Sequence, residues 1–131
     1  MTGFLLDANA VIAAGVAEHV HHDRVNSWLA TVGKVALCPI VEGAFVRYLT
    51  RTGASTVGLR DVMRALYDDP RFTLWPDDLS YADVDLAHVI GHRQITDAYL
   101  AALAVHHGGR LATLDRALSA ALPESAFLIP E

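Results

Sequence analysis

The feature of this sequence that most constrains its fold is an alternation, from one end to the other, of short apolar runs with longer segments of helical periodicity. Continuous apolar runs are typical of strands buried in a parallel sheet, where each connection requires a crossover that a helix usually supplies. The pattern therefore predicts an α/β fold with a central, mainly parallel sheet of about five strands. The predicted strands are Gly3–Leu6, Lys34–Cys38, Arg71–Trp75, Arg110–Thr113 and Ala126–Ile129.

Helical periodicity fills the segments between these strands. The predicted helices are, approximately, Val25–Val32, Val41–Thr52, Val57–Tyr67, Ala82–His92, Asp97–His107 and Arg116–Ala121. Pro39 suits a first helical position, and Gly108–Gly109 suits a helix end. Ser80, followed by Asp83, resembles a capping box. We expect one domain over residues 1–131, with helices flanking the sheet.

The composition is that of a globular intracellular chain. A hydrophobic fraction of 53% is enough to build a core, and a lone cysteine, Cys38, excludes an internal disulfide. Apolar neighbours indicate that Cys38 is a small buried residue, which fits a reducing cytoplasm. The N-terminal run Phe4–Leu6 is far shorter than a signal-peptide core or the roughly 20 apolar residues of a membrane span. We expect a soluble, cytoplasmic protein without membrane association.

Two acidic residues occupy helical positions that should face inward. Asp97 heads an apolar stripe made of Leu100, Ala101, Ala104 and Val105. Glu42, also in a first helical turn, shares its face with Phe45, Val46 and Leu49. Each acid could simply complement the helix dipole, with Thr96 as the cap before Asp97. The alternative is that both carboxylates point toward a cleft.

Two further aspartates follow predicted strands. Asp7 comes directly after the first apolar run, and Asp115 follows the fourth. Open α/β sheets bind ligands at this carboxyl edge, although a single aspartate there is more often a turn or N-cap residue. If the four acids converge, their mutual repulsion requires cations, and hard carboxylate oxygens select Mg²⁺ or Mn²⁺. Such ions lower the pKa of a bound water, which can then attack a phosphodiester.

The charge distribution has to be reconciled with a nucleic-acid substrate. The net charge of −5 argues against phosphate binding, but two divalent cations would offset most of it. Nine of the ten basic residues are arginines, whose forked guanidinium groups suit phosphate oxygens. We rank Arg47 first as a substrate or partner contact. Arg51, Arg60 and Arg64 are interpreted as solvated surface.

Three segments, taken in order, carry a resemblance to a known family: LLDANAVI near the start, CPIVEGAFVRYL in the first third, and HRQITDAYLAALAVHHGGRLATLDRAL near the end. Together they cover almost the whole chain and resemble the PIN-domain family, in particular the VapC-type toxins of bacterial toxin–antitoxin pairs. By that resemblance, the acidic metal site of the family is matched by Asp7, Glu42, Asp97 and Asp115. Asn9 and Thr113 stand at positions that often support it.

The resemblance also implies a fold and a function. The fold would be a PIN-like three-layer sandwich, and the function a Mg²⁺- or Mn²⁺-dependent endoribonuclease toxin that cleaves structured RNA such as tRNA or rRNA. A small cognate antitoxin would inhibit it, and the chain would form a homodimer. One alternative is a non-catalytic PIN-like module that binds RNA or protein. A phosphohydrolase with Asp7 as covalent nucleophile is less favoured, because such an enzyme typically has a second acid at the position that Asn9 occupies here.

Other titratable clusters are interpreted as structural. His19, His21 and His22 are expected in an exposed loop, since no matching Cys/His group accompanies them. His106 and His107 close a helix, where positive charge suits the dipole. We expect a solvated turn and helix start at one further feature, an acidic run. This run consists of Asp77, Asp78, Asp83 and Asp85.

Overall fold

The sheet that positions the site is entirely parallel. The computed structural model describes residues 3–131. Five strands pair in the order β3-β2-β1-β4-β5, and every pairing is parallel, which confirms the predicted α/β fold. The strands are β1 (Phe4–Leu6), β2 (Val35–Leu37), β3 (Phe72–Leu74), β4 (Arg110–Thr113) and β5 (Ala126–Leu128). Each lies within one residue of its predicted bounds.

Helices flank this sheet. They are α1 (Ala8–Gly15), α2 (His22–Leu29), α3 (Pro39–Arg51), α4 (Leu59–Asp68), α5 (Ile95–His106) and α6 (Arg116–Ala121). Pro39 takes the first position of α3, and Gly108, with a φ of 78°, follows the end of α5. Both local signals are therefore confirmed. No helix in the described part of the chain is long and apolar enough to cross a membrane.

Helix α1 is absent from the sequence-based prediction. Its residues Ala10–Ala13 are all buried, so it lacks the polar face that produces helical periodicity. The helix starts because Asp7 caps it: Oδ1 of Asp7 accepts a 2.8 Å hydrogen bond from the backbone N–H of Ala10. His19 and His21 lie in the connection between α1 and α2, as predicted, but both are half-buried, and His22 is the first residue of α2. The prediction of an exposed loop is therefore right for the loop at two of the three histidines and wrong for the exposure.

The predicted helix Ala82–His92 is also wrong. This segment contains two short 3₁₀ turns, Tyr81–Asp83 and His92–Gln94, separated by irregular chain. The hydroxyl of Ser80 caps the first turn, accepting from Ala82 N at 3.0 Å, and Asp85 holds a further local turn through Ala87 N, also at 3.0 Å. Side chains that satisfy the backbone locally in this way compete with a continuous helix.

The core surrounds the three central strands. Strands β1 and β2 are buried throughout, and Cys38 is fully buried, as predicted. The rings of Phe4, Trp28 and Phe127 form one aromatic cluster, with centroids 5.0 to 5.7 Å apart. Strand β4 approaches β1 so closely that a Cβ atom at Gly109 would collide with the backbone carbonyl of Gly3. That approach lies at the amino ends of the two strands, and the parallel register, with Leu6 opposite Ala112, places their carboxyl ends side by side.

Candidate active site

The strand order creates a crevice between the ends of β1 and β4. From β1 the chain builds outward through β2 and β3 on one side, and β4 and β5 lie on the other. In open α/β sheets, this point where the strand order reverses is where ligands bind. Asp7 follows β1 directly, and its backbone N–H donates a 3.1 Å hydrogen bond to the carbonyl of Ala112 in β4. Asp115 comes two residues after the end of β4.

Asp7 is the most strongly perturbed carboxylate of the site. Only 5% of its surface is exposed, and this burial raises its pKa from 3.8 to about 6. Hydrogen bonds from the Thr113 hydroxyl and the Ala10 amide partly oppose the increase, whereas the charges of Asp97 and Asp115 add to it. Asp7 is therefore both the N-cap of α1 and a buried acid facing two others.

Thr113 links two of these aspartates. It is fully buried, its hydroxyl hydrogen-bonds the Asp7 side chain, and its Oγ1 accepts a 3.0 Å hydrogen bond from the backbone N–H of Asp115. Because a hydroxyl has one proton to donate, the bond from Asp115 leaves that proton for Asp7. Asp115 caps α6, accepting from Leu118 N at 3.1 Å through Oδ1. Thr113 thus connects the Asp7 carboxylate to the backbone of Asp115, and its supporting role at a metal site stays a prediction.

Asp97 lies half-buried in the first turn of α5. Burial raises its pKa, and the charge of Asp115 raises it further. The inward register predicted for this helix holds for Leu100, Ala101 and Ala104, which are buried, whereas Val105 is exposed. Electrostatic coupling therefore joins three of the four predicted acids, Asp7, Asp97 and Asp115.

Glu42 is held by a different partner. It lies half-buried in the first turn of α3, where Oε2 accepts a 2.8 Å hydrogen bond from the Tyr67 hydroxyl of α4. Tyr67 was not predicted as a site residue, since nothing in its sequence context marks it apart from the helical pattern. The contact with Tyr67 of α4 orients the Glu42 carboxylate. The Asp7 carboxylate is instead held by Thr113 and by the backbone of α1.

Two concave pockets adjoin the three coupled acids, and Asp97 lines both. The first, of about 180 Å³, is bordered by Asp7, Asn9, Arg47, Thr96 and Asp97 with apolar neighbours, so the predicted contacts Asn9 and Arg47 lie beside two of the acids. The second, of about 160 Å³, includes Asp97, Asp115, His88 and Gln94. Sequence analysis missed His88 and Gln94, because their place beside the acids depends on contacts between residues distant in sequence.

The three coupled acids offer the donor set of a hard divalent cation. Within residues 3–131, no arginine, lysine or histidine forms an ion pair with Asp7, Asp97 or Asp115. Asp7 is buried and Asp97 half-buried, whereas Asp115 is exposed. Carboxylates that repel one another and lack a basic partner are stabilised by a bound cation. Their oxygen ligands are those that Mg²⁺ and Mn²⁺ prefer. The donor chemistry therefore fits such an ion, although the ligand atoms of the three acids do not all lie within 4.8 Å of one another.

Comparison with known proteins agrees with this geometry. Residues 4–121 match the PIN domain, so the chain belongs to the PIN-domain family. Ribonuclease VapC29 of Mycobacterium tuberculosis is 52% identical over 127 residues, covering 96% of each chain. Ribonuclease VapC38 of the same organism is 40% identical over 121 residues, covering 85% of this chain and 84% of the relative. These relatives confirm the predicted class, the VapC-type toxin endoribonucleases of toxin–antitoxin systems.

A solved structure supports the fold independently. The crystal structure of VapBC2 from Rickettsia felis, bound to a DNA fragment from its promoter, superposes with a TM-score of 0.63 at 16% identity. The alignment covers 96% of both chains. The PIN-like sandwich predicted from the sequence is thereby confirmed.

Proposed function

We propose that this chain is a divalent-metal-dependent endoribonuclease toxin that hydrolyses structured cellular RNA, such as tRNA or rRNA, and is inhibited by a small cognate antitoxin. The observation that carries the proposal is the electrostatic coupling of Asp7, Asp97 and Asp115 beside the carboxyl ends of β1 and β4, with no basic side chain among residues 3–131 paired to them. The VapC relatives support the reaction class.

Asp7, Asp97 and Asp115 would hold Mg²⁺ or Mn²⁺, with Glu42 as the fourth acid. A bound divalent cation supplies Lewis-acid stabilisation of negative charge and makes water a stronger nucleophile. The protein's own contribution is orientation. The Thr113 hydroxyl and the Ala10 amide fix the Asp7 carboxylate, and Tyr67 fixes Glu42.

The pocket beside the acids supplies the groups that would receive RNA. Arg47 and Asn9 are exposed and line the same concavity as Asp7 and Asp97. A guanidinium there can pair with phosphate oxygens and place a phosphodiester against the acids. Because water rather than the ribose 2′-hydroxyl is the nucleophile, cleavage should leave a 3′-hydroxyl and a 5′-phosphate.

The proposed partners of the chain are a cognate antitoxin and a second copy of the chain. The proposed location is the cytoplasm. A structural neighbour of this fold is a VapBC assembly. The chain also exposes large apolar side chains, among them Val57 (90%) and Val62 (44%) near and on α4. Exposed apolar surface of this kind is typical of protein interfaces.

The decisive experiment compares Asp7→Asn and Asp97→Asn with the native chain. Both variants should lose Mn²⁺-dependent cleavage of total tRNA and rRNA by at least about a hundredfold, with 5′ ends mapped to locate the cut. Asp68→Asn, which alters an exposed acid of α4, is the matched control and should cleave normally. Activity that persists in a cleanly purified Asp97→Asn variant would reject the assignment.

Purification with the antitoxin tests the partner separately. The complex should be inactive until the antitoxin is removed, and the native chain alone should cleave RNA. A chain that cleaves equally well with and without its partner would contradict the toxin assignment while leaving the nuclease assignment intact.

A further inference from the structure

A second cluster of metal-ligating side chains lies outside the acidic site. Nε2 of His107 is 2.9 Å from Oδ1 of Asp78, and Nε2 of His106 is 3.5 Å from the same oxygen. Potential ligand atoms of all three residues lie within 4.8 Å of one another, and no other such group occurs among residues 3–131. None of the three residues belongs to the set proposed to hold Mg²⁺ or Mn²⁺.

The spacing suits a small transition-metal ion. Ligands about 2.1 Å from a tetrahedral zinc are separated from each other by roughly 3.4 Å. The two Nε2–Oδ1 distances, 2.9 and 3.5 Å, bracket this value, so little movement is needed to enclose an ion. The carbonyl oxygen of Pro76, 3.3 Å from Nε2 of His107, offers a further oxygen at the same place.

Neighbouring contacts hold the cluster in shape. The ring of His107 stacks on Trp75, with centroids 4.9 Å apart and planes 18° from parallel. Asp78 belongs to the segment that leaves β3, and the next residue, Leu79, accepts a 2.8 Å hydrogen bond from the Tyr99 hydroxyl. One imidazole and the backbone around the carboxylate are therefore already ordered, which lowers the entropic cost of binding an ion.

We propose that Asp78, His106 and His107 form a binding site for a first-row transition metal, best represented by Zn²⁺. Two imidazole nitrogens and one carboxylate are the donors that zinc, cobalt, nickel and copper prefer, whereas Mg²⁺ prefers oxygen alone. An ion pair between the exposed aspartate and two histidines would contribute little stability by itself. A bound metal would instead fasten the end of α5 to the chain that follows β3.

The chain segment that a metal at this cluster would restrain leads to the acidic site. The segment held by Asp78 continues through Tyr81, whose ring packs on Tyr99 at 4.6 Å, to His88. His88 lines the pocket that includes Asp97 and Asp115. Metal bound at the cluster would thus restrain one wall of that pocket from outside it.

The test is calorimetric titration of Zn²⁺ into the native chain and into variants at each site. The native chain should bind one equivalent at the cluster, and His106→Ala and Asp78→Asn should each weaken this binding by at least tenfold. His92→Ala, an exposed histidine outside the cluster, and Asp97→Asn should leave it unchanged. Excess Mg²⁺ should not displace the zinc.

Two further readouts separate binding from folding. Co²⁺ should give visible absorption bands in the native chain and in Asp97→Asn, and these bands should be lost in His106→Ala. Saturating Zn²⁺ should raise the Tm of the native chain by about 5 to 10 °C, but not that of His106→Ala. The proposal is overturned if the native chain binds no Zn²⁺, if both cluster variants bind it as tightly as the native chain, or if Asp97→Asn abolishes the binding.

Discussion

The hydroxyl of Tyr67 donates a 2.8 Å hydrogen bond to Oε2 of Glu42, so a residue of α4 sets the orientation of an acid in α3. Metal ligands are commonly oriented by such outer contacts, and loss of one weakens metal binding by roughly 10- to 100-fold. Tyr67 is therefore a positioning residue for Glu42 if that acid takes part in metal binding.

We predict that Tyr67→Phe raises the Mn²⁺ concentration needed for half-maximal RNA cleavage by about tenfold. The ring is retained, so the effect should come from the lost hydroxyl. Tyr48→Phe is the control, because its hydroxyl is not engaged with any of the four acids. An unchanged Mn²⁺ requirement, together with reduced stability, would make the Tyr67 contact purely structural.

A second prediction concerns the pH dependence of stability in metal-free protein. The pKa of Asp7 is about 6 in the folded chain and near 3.8 when unfolded, so the folded state holds this proton more tightly. The associated stability is present below pH 3.8 and is lost as the pH rises through 6. Asn at this position can still cap α1 and carries no charge.

Asp7→Asn should consequently increase the free energy of unfolding at pH 7 by about 3 kcal/mol, with most of the difference gone near pH 4. Urea titrations in EDTA between pH 4 and 7 measure it. Added Mn²⁺ should stabilise the native chain and not the variant. A variant that is less stable than the native chain at pH 7 would show that the buried carboxylate is not penalised.

A third prediction addresses Arg47, which borders the pocket shared by Asp7 and Asp97. Arg47→Ala should weaken RNA binding and reduce the salt dependence of that binding by about one counterion, because one phosphate contact is lost. Binding measured with the inactive Asp97→Asn chain at several salt concentrations tests this. Arg60→Ala, an exposed arginine of α4, should change neither quantity.

A fourth prediction tests the close approach of the two chain segments that lead into β1 and β4. A Cβ atom at Gly109 would meet the carbonyl of Gly3 and lie 3.1 Å from the ring of Trp75. Gly109→Ala should therefore destabilise the fold by about 2 kcal/mol through overpacking. Gly33→Ala, where no atom lies within 4 Å of the added methyl, provides the control in a chemical denaturation series.

Much of the fold could be predicted because its strands are continuous apolar runs with clear boundaries. The inward-facing position of Asp97 could also be predicted, because a helix places residues three and four apart on one face. Helix α1 was not predicted, because its sequence is apolar at nearly every position and shows no amphipathic pattern. Tyr67 and His88 were missed because their contacts join residues distant in sequence. From their position at the end of a helix, His106 and His107 were predicted to complement the helix dipole. Their contact with Asp78 could not be predicted, because Asp78 is distant in sequence. The membership of Glu42 in the metal site stays a prediction.

The segment between β3 and α5 borders the pocket of Asp97 and Asp115 with residues that belong to neither a strand nor an α-helix. Sheet register places no demand on its length or composition, so insertions and substitutions there leave the catalytic frame intact. If the chain cleaves RNA as proposed, variation in this stretch alone would reshape the wall of the pocket beside Asp97 and Asp115 without altering the strand pairing.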